Sequence, residues 1–174
     1  MADKKALIVT DMLRDFVDPA GVLYIGPQGR DIIPFIQEQA KATRAEGGVV
    51  IYVCDAHAPD DREFRLFPPH AVKGTPGAQI IPELAPLPGD YVVEKVSYNC
   101  FVKTDLEGIL RREQVSLVEV VGVCTSICVL ETARGLFERD IPCRVYRAGV
   151  ADFDPEAHAF ALKYMARILG VEVV

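Results

Sequence analysis

The stretch LVEVVGVCTSICVLETARGL, residues 117–136, contains a strand, a tight turn and a helix in direct succession. Its first part, Leu117 to Val121, is an apolar and largely β-branched run, which predicts a buried strand. Its second part predicts a helix over Ile127 to Asp140, because apolar residues recur there at helical spacing after small turn residues. A buried strand followed directly by a helix is typical of a parallel sheet covered by helices.

The same alternation of strand-like and helix-like segments continues along the chain. Five more strands are predicted, at Ala6 to Thr10, Val49 to Val53, Tyr91 to Val93, Cys143 to Tyr146 and Val171 to Val173. Three more helices are predicted, near Arg30 to Glu46, Lys103 to Arg112 and Pro155 to Leu169. The pattern predicts the α/β fold class: a single domain over residues 1–174, with three αβα layers around a Rossmann-like parallel sheet of about six strands.

Composition narrows the choice of partners and location. No apolar run approaches the roughly 20 residues that span a bilayer, and the first five residues lead into only a short apolar stretch, so we expect a cytoplasmic protein without a membrane segment. A formal charge of −6 without a Lys/Arg cluster argues against nucleic acid and favours a small-molecule ligand. The five cysteines include no CxxC pair and are expected to be thiols. The sequence leaves a homo-oligomer open.

Three reactive side chains follow predicted strands at the edge where a parallel sheet binds its ligands. Asp11 follows the first strand, Lys95 follows the third, and Cys128 lies in the first helical turn after the fourth. A helix amino terminus favours a thiolate, Asp11 can take the thiol proton, and Lys95 can hold a positive charge beside both. The alternatives are a buried structural cysteine and a simple Asp–Lys ion pair, but the coincidence of all three residues favours a catalytic site.

A second group of polar residues has the composition of a metal site. Asp55 and His57 lie two positions apart after the second strand, His70 follows in a proline-rich loop, and Glu63 lies between them. Carboxylate and imidazole ligands suit a divalent ion such as zinc, iron or manganese. Solvated loop histidines are the alternative, because the spacing is a weak metal signature by itself.

These motifs resemble the isochorismatase-like cysteine hydrolases over essentially the whole chain. The matching residues are Asp11 and Phe16; Lys95, Tyr98, Phe101, Thr104 and Leu106; and Gly122, Thr125, Cys128, Val129, Thr132 and Ala133. Within the family, the runs Asp55-x-His57, Phe67-Pro68-Pro69-His70 and Gly74-Thr75-Pro76-Gly77-Ala78 look most like nicotinamidases and pyrazinamidases. Phe67 and Ser126 depart from the family's usual tryptophan and frequent aspartate, and the segment from Lys95 to Tyr98 is shorter than usual.

The resemblance implies a chemistry and a role for each residue. Cys128 would attack a carboxamide to form a thioester, with Asp11 and Lys95 as its partners. The N–H groups of Cys124 and Cys128 would form the oxyanion hole, next to a cis bond between Val123 and Cys124. Asp55, His57, His70 and Glu63 would hold an ion that binds a pyridine nitrogen, and Phe16 and Phe67 would flank the ring.

Two other functions stay open from the sequence. A metal-free relative can act on a ureido acid, a carbamoyl compound or isochorismate, and a non-catalytic binding protein can keep the same fold. The complete set of Asp11, Lys95 and Cys128 argues against the second.

Overall fold

A computed structural model of the chain describes residues 4–174. Its sheet has six strands: β1 (Lys4–Thr10), β2 (Val49–Asp55), β3 (Tyr91–Lys95), β4 (Val115–Val123), β5 (Cys143–Ala151) and β6 (Glu172–Val173). The strands lie in the order β3-β2-β1-β4-β5-β6, and every neighbouring pair is parallel. The order reverses between β1 and β4, which is the position where open α/β sheets bind ligands.

Helices cover both faces of this sheet. They are α1 (Arg14–Val17), α2 (Gln28–Asp31), α3 (Ile33–Ala45), α4 (Leu106–Arg112), α5 (Leu130–Phe137) and α6 (Pro155–Ile168). Alternate residues of β1 point to opposite layers: Leu7 and Val9 pack with residues of α1 and α3, whereas Ala6 and Ile8 pack with α4, α5 and α6. The predicted three-layer αβα fold is therefore confirmed, and the first three residues of the predicted domain range lie outside the described part.

Three of the helices differ from the predicted ones at their starts. The predicted helix from Arg30 to Glu46 is two helices, because Pro34 lies in the first turn of α3, where a missing N–H favours a helix start. The helix predicted from Lys103 begins only at Leu106, since Lys103 has a left-handed φ of 58°. The helix predicted from Ile127 begins earlier, as a π-helical turn over Thr125–Val129 that continues into α5.

Strand β5 is five residues longer than its predicted end at Tyr146. A register shift between Val120 and Gly122 of β4 lets β5 pair in two segments, first through Val145 and then through Val150. The polar and small residues between these segments interrupt the apolar run, so the sequence pattern predicted only the first half of the strand.

Three short 3-10 turns lie in the proline-rich connection between β2 and β3, at Arg62–Arg65, Pro76–Ala78 and Pro82–Leu84. They give this connection a defined path across the ligand-binding edge of the sheet. None of the helices within residues 4–174 is both long and apolar enough to cross a membrane.

Candidate active site

Four strand ends bring charged and reactive side chains to one point. Asp11 follows β1, Asp55 and Lys95 are the last residues of β2 and β3 and are paired in register, and Cys128 lies in the turn after β4. The backbone N–H of Asp11 donates to the carbonyl of Val53 at 2.9 Å, and the N–H of Asp55 donates to Asp11 Oδ1 at 2.8 Å. The ladder of the sheet thus positions the carboxylates directly.

Lys95 is the centre of this group. Its ammonium nitrogen lies 2.8 Å from Asp11 Oδ2, 2.5 Å from Asp55 Oδ1 and 3.4 Å from Cys128 Sγ. The Lys95 side chain has no exposed surface. A buried charge without partners would cost several kcal/mol, so the two carboxylates are what allow Lys95 to stay charged here.

Burial and neighbouring charges shift the pKa values in this group. Burial alone would lower the pKa of Lys95, but the charges of Asp11, Cys128 and Asp55 outweigh it and raise this pKa well above its usual value. Burial, reinforced by the charge of Asp55, raises the pKa of Asp11 to about 6 despite Lys95. Burial also raises the pKa of the Cys128 thiol, while Lys95 acts against this. A thiol that keeps its proton beside a carboxylate with a pKa near neutrality suits proton transfer between the two.

The turn that carries Cys128 is held from several sides. The carbonyl of Cys124 accepts the N–H groups of Ile127 and Val129, each at 3.1 Å. Asp152 Oδ2 accepts the N–H of Ser126 at 2.7 Å. The predicted cis peptide bond between Val123 and Cys124 is present.

The strand before this turn contains a glycine, Gly122, whose conformation and surroundings exclude a side chain. Its φ is 113°, and a Cβ atom there would lie 2.1 Å from the carbonyl oxygen of Thr10. Only glycine fits at this position, because a side chain would push β4 away from β1 next to the site.

The predicted metal ligands also come together. One ligand atom from each of Asp55, His57 and His70 lies within 4.8 Å of the others. Glu63 reaches the same point, since its carboxylate oxygens lie 3.8 Å from His57 Nε2 and 3.5 Å from His70 Nε2. All four residues predicted from the sequence therefore face one volume, and Asp55 also contacts Lys95.

The two histidines are oriented as metal ligands usually are. Nδ1 of His57 lies 3.1 Å from Asp61 Oδ2, and Nδ1 of His70 lies 2.8 Å from the carbonyl of Pro68. Both partners only accept hydrogen bonds, so Nδ1 of each ring is the donor and Nε2 points to the other ligands. His57 Nε2 is fully buried and has no hydrogen-bond partner among the described residues. An unpartnered buried nitrogen beside three other nitrogen and oxygen donors fits a divalent metal ion.

Nearby carboxylates favour positive charge at His57. Burial lowers the pKa of His57, but its contacts with Asp55 and Asp61 outweigh burial and raise this pKa to about 9. The site therefore attracts a cation at His57 Nε2, whether a proton or a metal ion.

A hydrogen bond from outside the loop fixes the position of His70. Asp15 Oδ2 accepts the N–H of Ala71 at 2.8 Å, and Asp15 precedes Phe16 in α1. The Asp15 carboxylate lies over Gly77, where a Cβ atom would come within 2.1 Å of it. Within the Gly74 to Ala78 run, glycine is needed at position 77 because the Asp15 carboxylate occupies the space that a side chain would fill.

A cavity of about 310 Å³ connects these groups. Asp11, Cys128, Glu63 and His70 are among the residues that line it. The two predicted ring contacts, Phe16 and Phe67, line its walls, and their ring centroids lie 5.6 and 6.1 Å from that of His70.

The sequence reasoning missed part of the cavity wall. The segment from Val22 to Ile25 and Phe153 line the cavity, and Val22 and Phe153 are each 53% exposed at its mouth. Phe153 follows the end of β5, so the strand-end rule would have found it if the strand had been predicted to its full length. No local pattern marks Val22 to Ile25, which follows α1.

The acidic, basic and thiol side chains of this α/β fold thus lie together at the carboxyl edge of a parallel sheet. Residues 5–174 match the family model described as the isochorismatase domain. The chain therefore belongs to the isochorismatase family. A relative described as the uncharacterized isochorismatase family protein PncA of Bacillus subtilis is 39% identical, over 98% of each chain.

Solved structures give a finer comparison. The nicotinamidase PncA of Bacillus subtilis has a TM-score of 0.93 and 35% identity, covering 98% of this chain and 99% of its own. The pyrazinamidase of Pyrococcus horikoshii in complex with zinc has a TM-score of 0.92 and 31% identity, covering 98% of both chains. The N-carbamoylsarcosine amidase of Thermoplasma acidophilum has a TM-score of 0.89 and 34% identity, covering 98% and 95%. By its family and these neighbours the chain is an enzyme of the hydrolase class, similar to nicotinamidases, a pyrazinamidase and an N-carbamoylsarcosine amidase.

Proposed function

We propose that this enzyme hydrolyses a small aromatic carboxamide of the nicotinamide type through a thioester on Cys128. The observation that carries the proposal is the contact of Cys128 Sγ with Lys95 Nζ at 3.4 Å, with Asp11 on the same ammonium at 2.8 Å. All three groups are buried, and Asp11 and Cys128 line the cavity. Three such groups have no structural need to meet in a core, and together they supply a nucleophile, a base and a fixed positive charge.

The proposed reaction begins with transfer of the Cys128 proton to Asp11. The thiolate attacks the carboxamide carbon, and the N–H groups of Cys124 and Cys128 stabilise the resulting oxyanion. Asp11 returns the proton to the leaving nitrogen, and ammonia departs from a thioester. Asp11 then takes a proton from water, whose oxygen attacks the thioester carbon. The C–S bond breaks, Asp11 returns this proton to the Cys128 sulfur, and the carboxylic acid leaves. Lys95 remains charged and keeps Asp11 and the thiolate side by side throughout.

Asp55, His57, His70 and Glu63 would hold a zinc, iron or manganese ion in this proposal. Such an ion supplies a Lewis acid that can bind a ring nitrogen and so orient the carboxamide towards Cys128. The buried, unpartnered Nε2 of His57 supports this assignment, and so does the zinc complex of the related pyrazinamidase.

The cavity wall favours an uncharged aromatic substrate. Phe16, Phe67 and Tyr98 contribute rings to it, which suit a flat heterocycle. Among the lining residues in the described part of the chain there is no arginine and no lysine. A ureido acid or isochorismate brings at least one carboxylate, and it would have to face Asp11, Asp55 and Glu63 without an arginine or lysine in the cavity lining to pair with it.

A second candidate function is hydrolysis of a carbamoyl compound, which the similarity to an N-carbamoylsarcosine amidase supports. It uses the same Asp11, Lys95 and Cys128 and differs only in the substrate. The cytoplasmic location stays a prediction, and a homo-oligomer stays open.

Ammonia release tests the proposal. The purified enzyme, loaded with zinc, iron or manganese, is incubated with nicotinamide, pyrazinamide and N-carbamoylsarcosine, with Cys128→Ala as the control for each. We expect release from the two ring amides and none from the control. Release only from the carbamoyl compound would move the function to the second candidate, and release by Cys128→Ala would refute the mechanism.

A further inference from the structure

Asp61 contacts two of the proposed metal ligands at once. Its Oδ2 lies 3.1 Å from Nδ1 of His57, and its Oδ1 accepts the backbone N–H of Glu63 at 2.9 Å. The Asp61 side chain is only 15% exposed, so both contacts are largely shielded from water. A carboxylate in this position belongs to neither the proposed triad nor the proposed ligand set.

The contact with His57 fixes the direction of that ring. A carboxylate can only accept, so the His57 proton at this contact lies on Nδ1, and Nε2 faces Asp55 at 3.6 Å and Glu63 at 3.8 Å. Carboxylates that accept from a ligating histidine set the tautomer and make the opposite nitrogen a stronger ligand.

The contact with Glu63 fixes the backbone of the second ligand. Asp61 precedes the 3-10 turn Arg62–Arg65, and its side chain caps that turn through the Glu63 N–H. A single short turn has few hydrogen bonds of its own, so the cap is a large part of what holds it. The cap therefore also sets where the Glu63 carboxylate meets His57 and His70.

We propose that Asp61 is a positioning residue that sets the metal affinity of the site through both His57 and Glu63. The inference rests on the metal part of the proposed function. It predicts that metal affinity and the reactivity of Cys128 separate on mutation of Asp61, because Asp61 has no contact with the Cys128 cluster.

Zinc binding to the purified, metal-stripped chain is measured by competition with a chelating dye. Asp61→Ala should raise the zinc Kd by about 10- to 100-fold, the usual effect of losing such a partner of a ligand. Asp61→Asn should fall between it and the unmodified protein, because the amide oxygen can still accept from His57 or from Glu63 but not from both. Asp60→Asn is the matched control, since Asp60 is the exposed neighbour, and it should leave the Kd unchanged.

Two further measurements separate positioning from a general structural role. The rate of Cys128 alkylation by iodoacetamide should be the same in Asp61→Ala and the unmodified protein. The thermal midpoint of the metal-free protein should fall by only a few degrees, the loss expected for one cap. In a Glu63→Ala background, Asp61→Ala should raise the Kd by a smaller factor than it does alone. The cap on the backbone N–H of residue 63 is still present there but no longer positions a carboxylate, so only the His57 contact still affects the metal.

Equal zinc binding by Asp61→Ala and the unmodified protein would overturn the inference and leave the proposed hydrolysis intact. If Asp61→Ala fails to fold, Asp61→Asn decides the question by the same criterion. An unmodified chain that takes up no zinc would overturn both the inference and the metal part of the proposed function.

Discussion

The two halves of the site are held in place by different parts of the fold. The strand-end cluster, Asp11, Lys95 and Cys128, is positioned by the ladder of the sheet and by the turn after β4. The loop cluster, His57, Glu63 and His70, lies in the connection between β2 and β3 and depends on single hydrogen bonds. One such bond is that of the His57 N–H to the Ala71 carbonyl at 3.0 Å. Changes in the loop should therefore disturb the second cluster without disturbing the first.

Asp55 is the point where the two clusters meet. Its Oδ1 binds Lys95 and its Oδ2 lies 3.6 Å from His57 Nε2. We therefore expect that substitutions on either side of Asp55 change chemistry and substrate orientation separately. The predictions below test that separation, beginning with the largest effect.

Loss of the nucleophile should have the largest effect. Cys128→Ala is expected to lower kcat for nicotinamide by about a millionfold, the scale seen when one member of a catalytic unit is removed. The substitution removes one sulfur atom, so the circular dichroism spectrum and zinc binding should persist. Cys143→Ala is the control, since Cys143 lies in β5 away from the cavity, and it should keep full turnover.

Loss of the central cation should affect both stability and turnover. Lys95→Met leaves Asp11 and Asp55 buried without their partner, which we expect to cost about 3 to 5 kcal/mol of unfolding free energy. Adding Asp11→Asn should recover part of this free energy, because one of the two uncompensated carboxylates is removed. Turnover should not recover. Denaturant unfolding of the single and double variants measures whether Asp11→Asn raises or lowers the unfolding free energy of Lys95→Met. A double variant less stable than Lys95→Met would contradict the charge argument.

Loss of the loop cluster should change substrate binding more than chemistry. His57→Ala should release the metal and raise KM for nicotinamide by about 100-fold, equivalent to about 2.7 kcal/mol of lost binding. Iodoacetamide labelling of Cys128 should change little, because Asp11 and Lys95 are intact. A loss of labelling as large as the loss of binding would mean that the two clusters are one unit.

The smallest effect on zinc binding is expected at Gly77, which packs against the Asp15 carboxylate that holds the loop. Gly77→Ala would bring a Cβ atom within 2.1 Å of the Asp15 carboxylate, which holds the Ala71 N–H next to His70. We expect a few-fold weaker zinc binding, with Cys128 labelling unchanged. Gly47→Ala is a matched control at the end of α3, where φ is 76° and no atom lies near the added carbon. It should cost about 1 to 2 kcal/mol of stability without affecting zinc.

The strand-end cluster was more accessible to sequence reasoning than the cavity wall. Asp11, Lys95 and Cys128 end or follow apolar runs, and the parallel-sheet rule brings such positions together. The Asp55 and His57 spacing indicated a metal only weakly, and the resemblance to nicotinamidases gave it weight. The wall at Val22 to Ile25 depends on how one loop folds over the sheet, and no periodicity encodes that path.

We expect iodoacetamide labelling to discriminate between the cysteines because their surroundings differ. Burial raises the pKa of Cys100 to about 11 and that of Cys143 to about 12, and neither has a charged partner like Lys95 at 3.4 Å. Cys128 is buried as well, so its reactivity must depend on Asp11 accepting its proton. This dependence is the central claim of the mechanism.

The most direct test is the rate of iodoacetamide labelling at each cysteine, read by peptide mass spectrometry in the unmodified protein and in Asp11→Asn. The account predicts that Cys128 is labelled first in the unmodified protein, well before the other four cysteines. It also predicts that Asp11→Asn removes this preference while the protein stays folded. First labelling at Cys124 or Cys143, or an unchanged Cys128 rate in Asp11→Asn, would contradict it.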